Sequence, residues 1–84
     1  MAFSEDVVFD AWNRAGGRCE CTRATHRHFG RCAKELVWFY RGKEVPGGWE
    51  AHHKSSVDAG GDDNLRNCEI LCHACHKATR THGN

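Results

Sequence analysis

Two periodicities run through the hydrophobic positions of this chain, one helical and one strand-like. Val7, Val8, Ala11, Trp12 and Ala15 recur at three- and four-residue spacing, which puts them on one helix face. Ser4 stands before them as an N-cap, and Glu5 and Asp6 fall in the first turn, where the helix dipole favours anions. Gly16-Gly17 stops the run. The pattern predicts a helix over residues 4–15 that packs on a core, with Trp12 in a packing role. Residues 18–35, RCECTRATHRHFGRCAKE, have no period and are expected as a loop. Leu36-Val-Trp-Phe-Tyr40 is β-branched and aromatic, with Gly42 close behind, and is expected as a strand. Glu44-Val-Pro-Gly-Gly48 reads as a turn. Trp49–His53 and Cys68–Leu71 read as two short strands, joined through the turn-rich Asp58-Ala-Gly-Gly-Asp-Asp-Asn64. Residues 73–82 are expected as a helix, since Cys72, His76 and Arg80 fall one turn apart on one face.

With 84 residues the chain suits one domain with a small core. A domain of this size buries roughly 60–70 per cent of its unfolded surface and commonly needs a staple such as a metal. Six cysteines are available for one. A secreted disulfide scaffold would start with an apolar signal segment, whereas acidic residues interrupt Met1–Asp10. No apolar run is long enough for a membrane span. The cysteines are therefore expected to be reduced, metal-binding and cytoplasmic. The formal net charge of +1 hides an asymmetry. Residues 18–43 hold seven Lys/Arg against two Glu, and residues 44–65 hold one Lys against five acids.

The chemistry gathers between Trp49 and Arg80. His52, His53 and His76 offer imidazoles that can hold a divalent cation or move a proton near neutral pH. Cys72 and Cys75 have the spacing of half a tetrahedral zinc site. In order come Ala51-His52-His53-Lys54, Gly60-Gly61, Asp63-Asn64-Leu65-Arg66-Asn67 and Leu71-Cys72-His73-Ala74-Cys75-His76. Taken together these resemble the HNH endonucleases, the ββα-metal nucleases.

The resemblance implies an α+β fold, a small ββα-metal motif with an N-terminal helix and a Cys-ligated structural zinc site. One nuclease domain is expected over residues 1–84: the helix in 1–17, a zinc-knuckle loop and strand in 18–48, and the ββα-metal motif in 49–82. Gly17-Arg18-Cys19-Glu20 and Cys32-Ala-Lys-Glu-Leu36 look like the two ends of the zinc knuckle that often precedes the motif. The chain departs from the usual Cys-x-x-Cys, with Cys19-x-Cys21 and then ten residues before Cys32, as if a loop carrying His26 and His28 were inserted. The expected zinc ligands are Cys21, Cys32, Cys72 and Cys75, with Cys19 as the alternative to Cys21. Cys68, inside an apolar run, reads as a small buried hydrophobe.

By the same resemblance His53 is the general base, His52 and His76 hold the catalytic ion, and Asn67 holds the loop and orients His53. Some relatives carry a further ligand one turn after the last histidine. Arg80 stands there and suits a phosphate instead, and Arg41 is a second candidate for the nucleic-acid backbone. The ion is expected to be Mg²⁺ or Mn²⁺, with Ni²⁺ or Zn²⁺ as alternatives. The partner is DNA, cut with little sequence preference to 5′-phosphate and 3′-hydroxyl ends and bound with modest, salt-sensitive affinity. Neither a membrane nor an organic cofactor is expected. A second reading stays open, a zinc-stapled nucleic-acid- or protein-binding module that catalyses nothing; separately, His76 beside Cys75 can complete a Cys-Cys-Cys-His zinc site with no catalytic ion. Neighbours on a strand face opposite sides, so the histidine pair is expected where the strand breaks into the loop. His73 and His82 are expected as exposed residues without a role.

Overall fold

The computed structural model describes residues 3–22, 30–54 and 63–80, apart from the side chain of Arg80. The loop from Asp58 through Gly60-Gly61, and His26, His28 and His82, lie outside the described residues. The elements in order are helix α1 (Glu5–Ala15), a 3-10 turn (Trp38–Tyr40), strand β1 (Trp49–His53), a second 3-10 turn (Leu65–Asn67), strand β2 (Cys68–Cys72) and helix α2 (His73–Arg80).

Helix α1 has the ends its sequence dictates. The Ser4 hydroxyl accepts the Val7 amide at 3.2 Å, and Gly16 closes the helix in the left-handed conformation. Val8, Ala11 and Ala15 are buried on its inner face, with Val7 and Trp12 packed beside them.

β1 and β2 pair antiparallel in the register Trp49↔Cys72, Glu50↔Leu71, Ala51↔Ile70, His52↔Glu69, His53↔Cys68. Alternation gives the sheet two faces. Trp49, Ala51 and His53 share one with α1, where Trp12 meets Trp49 at 4.7 Å between ring centroids. Glu50 and His52 look the other way, toward α2. All five residues of β2 are buried, which is why Cys-Glu-Ile-Leu-Cys carries almost no polar alternation. The free edge of β2 is covered as well: the Glu20 amide donates to Ile70 O at 2.7 Å, and the Glu20 carboxylate accepts the Ile70 amide at 2.9 Å. Arg14 grips that carboxylate at 2.6 Å and donates to Cys68 O, fixing α1 to the start of β2.

The strand expected over Leu36–Tyr40 does not form. The stretch instead carries the 3-10 turn Trp38–Tyr40, flanked by single bridges Arg18↔Glu35 and Arg41↔Trp49. Packing overrides the local preference. Turning the chain there brings Trp38 against Trp12, Trp49 and Phe9, with centroids 5.3, 5.5 and 5.9 Å apart, and lets Val37 O accept the Trp49 indole N–H at 2.9 Å.

The turn before β1 tolerates no side chain at Gly48. A Cβ there would lie 1.8 Å from Lys43 O, and the Gly48 carbonyl accepts the His73 amide that opens α2. Gly48→Ala is expected to cost at least about 1–3 kcal/mol, the usual scale of overpacking. Thermal unfolding would report it as a lowered midpoint; a midpoint equal to wild type would contradict this packing.

Candidate functional site

Four sulfurs converge at one end of the sheet. Cys19, Cys32, Cys72 and Cys75 bring their Sγ atoms within 4.8 Å of one another. Cys72 ends β2 and Cys75 lies in the first turn of α2, so the Cys-x-x-Cys spacing spans a strand-to-helix junction. The other two come from the knuckle, where the Cys32 amide donates to Cys21 O at 2.7 Å and the Ala33 amide to Cys19 O at 3.1 Å. Ala33 takes a positive φ of 55° to make this turn. Arg31 clamps it, donating to the carbonyls of Cys19, Ala15 and Arg18.

The donor set fits a metal. The Cys72 amide points at Cys19 Sγ, 3.3 Å away, the kind of contact that steadies a thiolate. Within the buried pair the hydrogen bond between the two sulfurs raises the Cys19 thiol and lowers Cys72. Burial raises Cys75. Four sulfurs in this arrangement can hold one ion, and an all-thiolate tetrahedral set suits zinc. Cys19 takes the position for which Cys21 was the first candidate from spacing. Cys21 is buried beside Cys75, outside the group of four. Cys68 is also buried outside it, and burial pushes its thiol up to about 11. That suits a small inert hydrophobe.

The histidines lie further along the sheet and take no part in the sulfur group. His52 and His53 both belong to β1, so the strand continues through the pair, and the two rings point to opposite faces. His52 meets His76 of α2 edge-on, with ring centroids 5.5 Å apart. With metal–nitrogen bonds of about 2.1 Å, two imidazoles sharing an ion sit with centroids on the order of 5 Å apart, so these two fit one. His53 stacks on Phe3 at 3.9 Å, with the planes 19° apart. Its Nε2 donates to Asp63 Oδ1 at 2.7 Å.

Asn67 is buried in the turn before β2. Its amide donates to Asn64 O, and its carbonyl accepts the Lys54 amide, the residue directly after His53. Arg41 lies over the Trp49 ring at 5.6 Å and reaches Glu5 at 3.1 Å. Arg80 ends α2, and its side chain is outside the described ones. His73 is half-buried rather than exposed, because it caps the strand-to-helix junction against Gly48.

Phe3 and Asp63 were not legible as site residues. Phe3 precedes the helix and gave no periodic signal. Asp63 pairs with a histidine ten positions back, and the sequence marked it only as part of the Asp63–Asn67 stretch of the motif, with no role of its own.

The HNH endonuclease family model matches residues 31–81, more than half of the chain, and the protein belongs to that family. Membership places it among nucleases and nucleic-acid-binding proteins. A comparison with curated proteins finds no match.

The sulfur group makes a direct prediction. Purified protein is expected to carry about one zinc per chain after dialysis. Cys19→Ser is expected to lose it together with the folded circular-dichroism spectrum, as a structural site does. Cys21→Ala and Cys68→Ala are expected to keep it. Full zinc in Cys19→Ser with loss in Cys21→Ala would reverse the ligand assignment.

Proposed function

We propose that the protein is a metal-dependent endonuclease that hydrolyses DNA phosphodiester bonds with little sequence preference. One observation carries this reading: four cysteines complete a metal set by themselves, so His52, His53 and His76 are left for chemistry. A Cys-Cys-Cys-His zinc site without a catalytic ion would need His76 as a ligand. His76 instead faces His52.

The chain's residues divide the work as follows. His53 is the general base, and with Nε2 donating to Asp63 it is Nδ1 that takes the proton from water. Asp63 orients the ring, as the third member of a nucleophile–base–carboxylate set does, and Phe3 holds its face. The hydroxide so formed attacks phosphorus, and the bond to the 3′ oxygen breaks, leaving 5′-phosphate and 3′-hydroxyl ends once that oxygen is protonated by water. A divalent cation held by His52 and His76, Mg²⁺ or Mn²⁺ before Ni²⁺ or Zn²⁺, would supply the charge that stabilises the phosphorane-like transition state and the departing oxygen. Base and ion side project from opposite faces of the last two residues of β1, so the phosphodiester lies across the end of the strand. Asn67 ties Lys54 down and keeps that end closed.

DNA affinity is modest in this scheme. Arg31 and Arg18 donate to main-chain carbonyls and Arg41 pairs with Glu5, which leaves less of the basic segment for phosphates than its charge suggests. Arg80 remains a proposed phosphate contact. Six cysteines outside any disulfide, four of them gathered as a zinc site, suit the reducing cytoplasm, where we place the protein. No described helix is long and apolar enough to cross a membrane.

Two outcomes are expected. His53→Ala should keep zinc, fold and DNA affinity while cleavage of supercoiled plasmid falls about 10²–10⁴-fold, the usual share of a general base. His52→Ala and His76→Ala should also lose cleavage, but excess Mn²⁺ should partly restore these two and not His53→Ala. Wild-type cleavage by a well-folded His53→Ala protein would overturn the assignment. In the second, binding to duplex DNA should weaken as salt rises, because phosphate contacts release counterions. An affinity flat across a salt titration would remove the Lys/Arg contacts from the scheme.

A further inference from the structure

The three residues of the Trp38–Tyr40 turn point three ways, because side chains at three residues per turn fall about 120° apart. Trp38 takes the inward direction and packs on Trp12 and Trp49. Its neighbours are turned outward as a result. Phe39 is 82% exposed, more than any other large apolar side chain among the described residues, and Val37, Tyr40 and Val45 are exposed as well. Contiguous apolar surface of this kind marks an interaction site more often than a scattered residue does.

The turn that presents Phe39 is pinned. The Tyr40 amide donates to Val37 O at 2.9 Å and the Lys43 amide to Tyr40 O at 3.0 Å. The Gly42 amide donates to Trp49 O on β1 at 2.8 Å, and the Val37 amide to Gly47 O at 2.9 Å. Gly47 has a φ of +88°, and a Cβ there would come 3.0 Å from Val37 Cγ2 and 3.3 Å from Tyr40 Cδ2. Its missing side chain lets the next turn close on this one. A ring held out so firmly has little freedom left to lose on binding.

The place of the turn says what it meets. Arg41 bridges to Trp49, so the turn lies along the edge of β1 away from β2. His52 stands three residues beyond Trp49 on that strand. That is roughly 10 Å, or about three steps of a DNA strand at about 3.4 Å each. Cations line the way between them. Arg41 follows Tyr40, and Lys43 shares a cavity with Lys77, His73 and His76. Of the acids beside this path, Glu5 is taken by Arg41 at 3.1 Å and Glu44 by Lys77 at 3.6 Å, while Glu50 is half-buried against Gly42. An exposed ring followed by ammonium groups suits a base followed by its phosphates, and the contact tolerates any sequence because every base has a π-face.

We propose that Phe39 stacks on an unpaired base of the DNA about three nucleotides from the phosphodiester at the histidines, with Lys43 on the backbone between them. The proposal rests on the nuclease reading and deepens it by naming a base contact beside the cut.

Two single-stranded oligonucleotides of equal length, one natural and one abasic throughout, test this on zinc-loaded protein with no second ion added. The abasic strand keeps every phosphate and loses every base. Wild type is expected to bind the natural strand about 10–100-fold more tightly than the abasic one. Phe39→Ala should bind both alike, with the salt dependence of binding unchanged because no charge is lost. Phe39→Tyr should restore the preference. Lys43→Ala should keep the preference while its salt slope falls by about one. Circular dichroism and zinc content check that each variant is folded. A wild-type preference in Phe39→Ala overturns the role of Phe39 and leaves the nuclease reading standing, as does wild type that binds duplex DNA and neither single strand. A dimer that becomes a monomer in Phe39→Ala, with DNA affinity unchanged, also overturns it and gives the ring to a contact between copies. Wild type that binds neither duplex nor single strands overturns both readings.

Discussion

The convergence of four thiols at the end of β2 is the constraint on which the rest of the molecule hangs. β2 alone would be a five-residue strand in a two-stranded sheet, a unit of marginal stability in water. Cys72 and Cys75 fix its C-terminal end to the first turn of α2, and Cys19 and Cys32 bring the knuckle down onto the same point. From there the knuckle covers the free edge of β2 through Glu20, and Arg14 carries the tie back to α1. A chain of this size has little apolar surface to spend on stability. A metal held at this junction would make helix, knuckle, sheet and second helix one unit.

The histidines profit from that rigidity without sharing in it. β1 is held on one face by the Trp12, Trp38 and Trp49 cluster and along one edge by β2. Its last two residues therefore have fixed directions. The pleat sends His53 toward Phe3 and Asp63 and His52 toward His76. Separation of His53 from the His52–His76 pair by one strand's thickness follows from the alternation of side chains. The loop geometry that the histidine pair would otherwise need is not used. A structural sulfur site and a nitrogen-rich site thus stand at opposite ends of one short hairpin, each with donors suited to a different class of cation.

Much of this was readable in the chain. The course of α1, the span of β1 and the starts of β2 and α2 followed from caps, period and turn residues, β2 running one residue past the expected Leu71, and the ordered His-His, Asn, Cys-x-x-Cys-His pattern identified the family. What could not be read was decided across space. Cys19 and Cys21 lie two apart, on the same side of an extended segment, so spacing could not choose between them. In space Cys19 and not Cys21 joins the four-sulfur group. Leu36–Tyr40 has strand composition, but three tryptophans pack better when it turns. Asp63 could not be paired with His53, because the loop between them sets the distance.

The central claim is that the protein needs two different metal ions, one to fold and one to cut. The most direct measurement is plasmid nicking by protein carrying one zinc per chain, before and after addition of Mg²⁺ or Mn²⁺. The account predicts a folded protein that leaves supercoiled DNA intact until the second ion is supplied. It also predicts that activity disappears when that ion is withdrawn while the zinc stays bound. A folded, zinc-loaded protein that binds DNA and cuts it under no added ion would contradict the account and leave a zinc-stapled binding module.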